Sequence, residues 1–487
     1  MHRRSHRTAA RLSVLASVFC GATLSFAADP LPIPVRPPAA AAYPPVGPTV
    51  GIRPAPVVPL GAAPLAQRTP AAPVAPAQGV LVQSVCLPDL ERLALQYNPT
   101  LAQAAAFVDS ARGKALQAGL PLNPTVGITG EQIGAARTSG EWTWFYLQQE
   151  IVTGGKLRLS RLKYEQEAYA AEVQAGAQRL RVVNAITEGY FDVLAAQRSV
   201  ENHRRLKANA EDGLKTTEQL LNVGQANEPD LLQAKVEVQR AAVALRNAET
   251  RLRRDWEQLV AVVGVPTLPL QPVSGALEPD GPPLGRDEAL ARLLEESPEL
   301  AMARIEVKRD QIQLQRERRE PIPNVTLRGG TGYNFETRNQ TAEVGLAVRL
   351  PVFDRNQGTV RQAQADLARA TAEVTRVELD LRRRFADAFT RYETARTEAE
   401  TLRAETVPTA QRAYELYLKS YQERRSAWPQ VLVAQRTVFQ LNDDLTRSLA
   451  DARRAEVEVR GLLLTGGLTA PRDPTPPGHI NSVPKPR

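Results

Sequence analysis

Asn98-Pro99-Thr100-Leu101 returns far along the chain as Ser297-Pro298-Glu299-Leu300, and Pro124-Thr125-Val126 returns at the same offset, about 199 residues, as Pro323-Asn324-Val325. Ile186 and Tyr190 meet Phe385 and Phe389 in the same way. Pro229-Asp230-Leu231-Leu232 then meets Pro429-Gln430-Val431-Leu432 with a slip of one residue. Self-similarity of this kind marks a chain built twice from one unit. The expected boundaries are 81–264 for the first repeat and 286–468 for the second, joined by a Pro/Gly-rich linker over 265–285.

Each half has the same internal order. A helix of roughly 30 residues, about Pro88–Ala118 or Arg286–Arg319, runs up to a proline, where helices tend to stop. Two short alternating segments follow. In the clearest, Val344, Leu346, Val348 and Leu350 fall on one side and Glu343, Gly345, Ala347 and Arg349 on the other, a period of two that belongs to strands. Its partner lies around Val325–Tyr333, and Val126–Ile133 with Trp142–Ile151 forms the other pair. Long helical stretches come next, about Gly155–Asn222 and Gly358–Gln422, with heptad steps such as Leu367, Val374, Val377 and Leu381. Some 65 residues at ~1.5 Å each make a rod of about 100 Å. A short break precedes Pro229 or Pro429, each suited to the first turn of a returning helix. In the first half that helix carries Leu231, Ala234, Val238, Ala241, Leu245, Ala248 and Leu252 in steps of three and four, a coiled-coil seam in which Ala permits close approach. Pro408 interrupts the second rod and is expected to bend it. The fold class is therefore mainly α with a small β part.

The ends of the chain read differently. Arg3, Arg4, Arg7 and Arg11 precede an apolar run from Leu12 to Phe26, and Ser25-Phe26-Ala27 suits cleavage after Ala27, so residues 1–27 read as a signal peptide of an exported protein. A transmembrane reading of that run is weaker, because the run is shorter than the ~20 apolar residues that span a bilayer. Residues 28–80 are mostly Pro and Ala, too poor in burial to fold, and read as a disordered linker; residues 469–487 read as a disordered tail. Cys20 follows Phe19, where lipid attachment usually wants Gly or Ala, and is expected to leave with the signal. Cys86 then remains as a lone thiol. The formal charge of +8 comes from the leader, the linker and the tail, so the core from Leu81 to Ala470 is near neutral and nucleic acid is not an expected partner.

Paired helical rods are not a globular core, and their seams need partners. The four strands, about ten residues each, have the length of membrane-spanning strands. Four cannot close a barrel, and open edges in lipid leave backbone groups unsatisfied at several kcal/mol each. Oligomerisation solves both problems: copies that pool four strands apiece make one barrel, and their helices continue it as a tube. Trp142, Trp144, Phe145 and Tyr146 then suit a lipid–water boundary, or equally an aromatic cluster packed on a neighbouring strand. Catalytic signals are missing. His203 is the only histidine of the core and has no Cys or carboxylate cluster at ligand spacing; no phosphate loop, nucleophile elbow or Cys pair occurs. No enzymatic activity, cofactor or metal site is expected. The rival reading is an exported periplasmic coiled-coil adaptor or scaffold, which explains the heptads and export signal but not four alternating segments at equivalent places.

The duplicated order over about 85–468 resembles the TolC family. Glu150-Ile151-Val152-Thr153-Gly154-Gly155-Lys156 is similar to that family's first strand-to-helix junction. Leu350-Pro351-Val352-Phe353-Asp354-Arg355-Asn356-Gln357-Gly358 resembles the second junction in the form of the cobalt-zinc-cadmium branch. The resemblance implies a homotrimer with a 12-stranded β-barrel in outer-membrane lipid and an α-helical barrel in the periplasm. It also implies a periplasmic adaptor (membrane fusion protein) and an inner-membrane pump of the RND type, the channel being a passive conduit for small solutes or metal ions. By the same resemblance Val223 and Gly224 match the adaptor-docking tip of the first half, while Arg424, with Arg425, departs from it where Gly is common. Glu218, Glu415 and Glu423 are candidates for acidic constriction near the tip, the alternative being ordinary solvated helix charges. Arg328 and Arg349, on the polar strand faces, are expected in the barrel lumen.

Overall fold

A computed structural model describes residues 84–134, 139–224, 226–279, 281–423 and 425–470, which all belong to one compact unit, Ala77–Arg487. The leader, the Pro/Ala segment and the tail from Pro471 lie outside the described residues, as does Arg424.

The first half opens with α1 (Leu87–Tyr97) and α2 (Pro99–Gly119), the second with α5 (Arg286–Glu296) and α6 (Pro298–Arg319). Each pair was expected as one helix. Pro99 and Pro298 hold the preceding residue out of the helical region, so Asn98 and Ser297 are extended at ψ 120° and the helix divides there. Asn98 turns the break into a junction. Its side chain caps α2 through Thr100 N at 2.9 Å and donates to Val262 O at 2.7 Å.

Strands β1 (Thr125–Glu131) and β2 (Glu141–Ile151) follow α2; β3 (Val325–Asn334) and β4 (Asn339–Val348) follow α6. They form one antiparallel sheet in the order β1-β2-β3-β4, and the central pairing joins the two halves, with Ile151 opposite Val325 and Trp142 opposite Tyr333. β1 and β4 are the open edges.

The first rod, α3 (Lys156–Asn222), is unbroken over 67 residues, about 100 Å at ~1.5 Å per residue, and returns as α4 (Glu228–Val263). The second is divided into α7 (Gln357–Thr401), a π-helical turn (Leu402–Thr406) and α8 (Val407–Gln422), and returns as α9 (Trp428–Arg460). Pro408, in the first turn of α8, lacks an N–H and crowds the carbonyl a turn earlier, which a wider turn accommodates. The same turn accounts for the slip in the duplication. Before it, Val182, Ile186 and Tyr190 match buried Leu381, Phe385 and Phe389 at offset 199; after it, helix ends Asn222 and Gln422 match at 200. One inserted residue is what a π-helical turn absorbs without unwinding its neighbours.

The duplicated positions fill equivalent cores. Val182, Ile186, Tyr190 and Val193 of α3 pack with Trp256, Leu259 and Val263 of α4 and Leu90 of α1. Leu381, Phe385, Phe389 and Tyr392 of α7 pack with Leu293, Leu300, Val459 and Leu464. The chain after α9 is held over α3 by a buried amide: Asn184 Nδ2 donates to Gly461 O at 2.9 Å and Leu464 O at 2.8 Å. Between them Leu462 and Leu463 have φ of 57° and 59°, which bulky residues adopt only when held. Asn184→Leu leaves Leu464 O without its donor in an apolar setting, while Gly461 O keeps the Leu464 N–H at 3.1 Å. It is expected to lower stability by about 1–3 kcal/mol, read as a fall in the melting temperature with faster proteolysis after Arg460.

Candidate functional site: the amphipathic sheet and the helical tips

Cross-strand partners share a face, so the register sorts the sheet. One face carries Val126 of β1, Leu147 and Ile151 of β2, Val325 and Leu327 of β3, and Val344, Leu346 and Val348 of β4. Most are solvent-exposed in the single chain, Val344 to 92%. The other face carries Thr125, Gln148, Glu150, Thr326, Arg328 and Glu343. An exposed apolar face this continuous requires a covering medium.

Arg328 organises the polar face. Its Nη2 donates to Thr129 Oγ1 at 2.9 Å on β1, its Nε lies 3.1 Å from Glu343 Oε1 on β4, and its guanidinium sits 4.1 Å above the Tyr146 ring on β2. One side chain thus spans all four strands. Gly127 makes room, since a Cβ there would meet the Tyr146 ring. Tyr146 therefore lies on the polar face with Arg328, apart from the other aromatics of its strand, because alternation along β2 sends it inward. Trp142 is half-buried and donates through Nε1 to Ser139 O at 2.9 Å. Trp144 sits in a bulge of β2 and is exposed; its ring is 6.3 Å from Tyr333, which contacts Phe335 at 5.0 Å. These aromatics gather at the end of the sheet away from the helices.

At the far end of the rods, α3 stops at Val223, 65% exposed, and Gly224 at φ 70°. The left-handed glycine ends the helix, with Ala226 N reaching back to Leu220 O at 3.2 Å. A capping box between Asn227 and Asp230 starts α4. The second tip is built otherwise. Arg425 pairs with Glu423 at 3.4 Å, and Trp428 opens α9 against Tyr421, their centroids 5.0 Å apart. Burial and then Asp230 push the Tyr421 hydroxyl up. Glu218 and Glu415 are exposed, and Glu423 is paired with Arg425.

Links between the two hairpins were not legible in the sequence. Arg436 of α9 forms a bidentate ion pair with Glu237 of α4, and Arg454 reaches Asp192 at 2.6 Å. His203 is such a link: Nε2 lies 3.4 Å from Asp443 Oδ2, while Nδ1 lies 2.9 Å from Ser199 O. Burial raises the Asp443 carboxyl, and His203 opposes it. Above them, burial and then Glu458 and Asp192 push Glu188 up to about 7 against the pull of Arg454; Arg391 pairs with Glu458 at 2.9 Å. A carboxyl raised on folding contributes stability below its unfolded pKa and loses it as pH rises through about 7. Glu188→Gln is therefore expected to be neutral at pH 4 and stabilising at pH 8 by about 1–2 kcal/mol, after allowance for partial solvent screening, in melting curves at the two pH values.

A sheet with one lipid-suited face, carried on duplicated hairpins of very long helices, defines a membrane channel-forming class of protein. The comparisons agree: the family model described as outer membrane efflux protein matches residues 90–265 and 289–464, well over half of the chain. The chain belongs to the outer membrane efflux protein family. Membership makes it an outer-membrane channel component and not an enzyme. The cobalt-zinc-cadmium resistance protein CzcC of Cupriavidus metallidurans is 29% identical over 281 residues, 57% of this chain and 66% of that protein, just under two thirds of its length. Among solved structures, VceC of Vibrio cholerae superposes with a TM-score of 0.64 at 20% identity, covering 78% of this chain and 96% of that one. The open state of the MtrE outer membrane channel of Neisseria gonorrhoeae gives 0.64 at 16%, covering 78% and 89%. These likenesses show the fold. Among the described residues no helix is long and apolar enough to cross a membrane.

Proposed function

We propose that three copies of this chain form the passive outer-membrane conduit of a tripartite efflux system, fed by a periplasmic adaptor and an inner-membrane pump of the RND type. The observation that carries the reading is the four-stranded sheet with an exposed apolar face and two unpaired edges. Pairing β4 of one copy with β1 of the next leaves no open edge, and three copies close at twelve strands. The helices also suit contact between copies: α4 buries Ala234, Ala241 and Ala248 against its own chain yet leaves Leu232, Val236 and Val243 exposed on a second stripe that a neighbouring copy would cover. The repeats are taken as 81–264 and 286–468, and Trp142 and Trp144 as interface aromatics. Arg328 and Arg349 would face the lumen, and Glu218, Glu415 and Glu423 would narrow the tube near its tip, favouring cations. By likeness to CzcC, divalent metal ions are the first cargo to test, ahead of other small solutes.

Electron microscopy of the protein extracted from the outer-membrane fraction in mild detergent tests the conduit. A hollow three-fold particle with a long tube is expected; thin solid monomers recovered without detergent would instead favour a periplasmic scaffold. The docking tip is tested separately. Gly224 has open space around it and needs a left-handed backbone, so Gly224→Arg strains only the tip. Adaptor affinity should fall about tenfold or more, equivalent to ~1.4 kcal/mol, with the trimer intact. Unchanged affinity would remove Val223, Gly224, Arg424 and Arg425 from the docking surface.

A further inference from the structure

The apolar face of the sheet does not stop where β4 stops. The alternation of Val344, Leu346 and Val348 runs on to Leu350, and the chain then bends through Pro351 to Val352 and Phe353. Leu350 is 72% exposed, Val352 60% and Phe353 92%, although Arg349 precedes them and Asp354, Arg355 and Asn356 follow. The segment is pinned. Val352 N donates to Leu350 O at 3.0 Å, Arg355 N to Gln357 Oε1 at 2.8 Å, and Asn356 N to Asp354 Oδ1 at 2.8 Å. Phe353 is thus presented outward by an ordered turn. The first half has no counterpart: beyond Ile151, Thr153 is tied to Pro323 O at 2.5 Å and to Asn324, drawn in against the second half.

Length identifies the surface these side chains fit. From Tyr333 to Val325, strand β3 spans about 26 Å at ~3.3 Å per residue, or about 20 Å across a bilayer at a tilt of ~40°. The apolar band of an outer-membrane barrel is about 25 Å tall. One boundary already has aromatics, the Trp144, Tyr333 and Phe335 group at the end away from the helices. The shortfall of about 5 Å lies at the helix end, where Leu350, Val352 and Phe353 prolong the apolar face.

We propose that Leu350, Val352 and Phe353 are embedded in phospholipid at the periplasmic side of the outer membrane, with Phe353 marking that boundary of the apolar band. The proposal rests on reading the sheet's apolar face as lipid-facing. Arg355, which follows the three and is exposed, falls at headgroup depth, where a guanidinium pairs with phosphate. Each copy supplies one such anchor, three around the barrel.

The test is spin labelling of the full-length protein, in a Cys20→Ser, Cys86→Ser background, reconstituted in phosphatidylethanolamine/phosphatidylglycerol vesicles. Single cysteines are placed by Val344→Cys and Phe353→Cys, and collision with oxygen is compared with collision with a water-soluble nickel chelate. Oxygen should dominate at both positions, with position 353 shallower than 344. Lipid contact at 344 but chelate contact at 353 would overturn the anchor and leave the membrane face standing. An immobilised label at 353, reached by neither probe, would overturn it in favour of contact with a second copy. Chelate contact at both positions would remove the lipid-facing reading itself.

Discussion

Val344→Arg is expected to abolish assembly in the outer membrane. Val344 is 92% exposed and lies mid-strand on the edge strand β4, opposite Gly329. In water the exchange would cost almost nothing, since the side chain touches little. At the middle of a bilayer an Arg on the lipid face of a barrel costs about 2–4 kcal/mol, and three copies carry the charge, so the trimer loses about 6–12 kcal/mol. The measurement is the amount of folded trimer in the outer-membrane fraction, with Thr341→Arg as control. Thr341 pairs with Gly332 on the polar face, where a lumen can solvate the charge. Loss with Val344→Arg and retention with Thr341→Arg is the expected pair. Equal tolerance of both would mean that the exposed apolar face does not meet lipid, and a water-soluble scaffold would then be the better reading.

Glu317→Ala is expected to be the most destabilising single change in the helical body, by about 3–5 kcal/mol. Glu317 is fully buried beneath the sheet, where α6, α3 and the start of α7 meet. Gln313 Nε2 donates to it at 2.6 Å, Arg316 Nη1 at 2.7 Å and Asn356 Nδ2 at 2.7 Å. Nearby, Arg309 and Asp310 pair at 3.1 Å, and Lys163 is drawn down to about 8, by burial first, with Glu167 and Glu317 opposing. Removing the acid leaves the buried Gln313 amide without its acceptor and Arg316 with the Glu320 carboxylate alone, at 3.6 Å, and takes one of two nearby negative charges from Lys163. A lysine lowered on folding binds fewer protons folded than unfolded between about 8 and its usual value, so stability rises with pH through that range. In Glu317→Ala that rise should begin lower, because an attraction that kept Lys163 charged is gone. Thermal melting of the detergent-solubilised protein from pH 7 to 10 checks both effects. Unchanged melting at pH 7 would show that the network relaxes around the loss.

Legibility in the sequence followed the range of the interaction. Strand period in Val344 to Leu350 and heptad steps in the helices are local, and the elements they announce are present. The proline at each helix break was visible too, but its effect on Asn98 and Ser297 was underread: a residue before proline is held extended even where the apolar pattern continues. Tyr146 shows the limit of composition. Four aromatics in a row suggested one interface group, whereas the bulge of β2 and simple alternation divide them between faces. Burial of charge was the least legible property. Glu317, Arg309 and Asp310 stand in a helix of ordinary polar composition, and nothing in their spacing says that α3 and α7 close over them.

By itself the sequence determined the duplication, the helix and strand types, the neutral core between basic ends and the family, because each depends on short-range periodicity or on strings of adjacent residues. Only the tertiary structure decided the pairing of β2 with β3 across the halves, the reach of Arg328 over four strands, and the ion pairs that tie α4 to α9. These contacts join residues far apart in the chain, and their energies depend on burial and partner geometry, which local spacing does not encode.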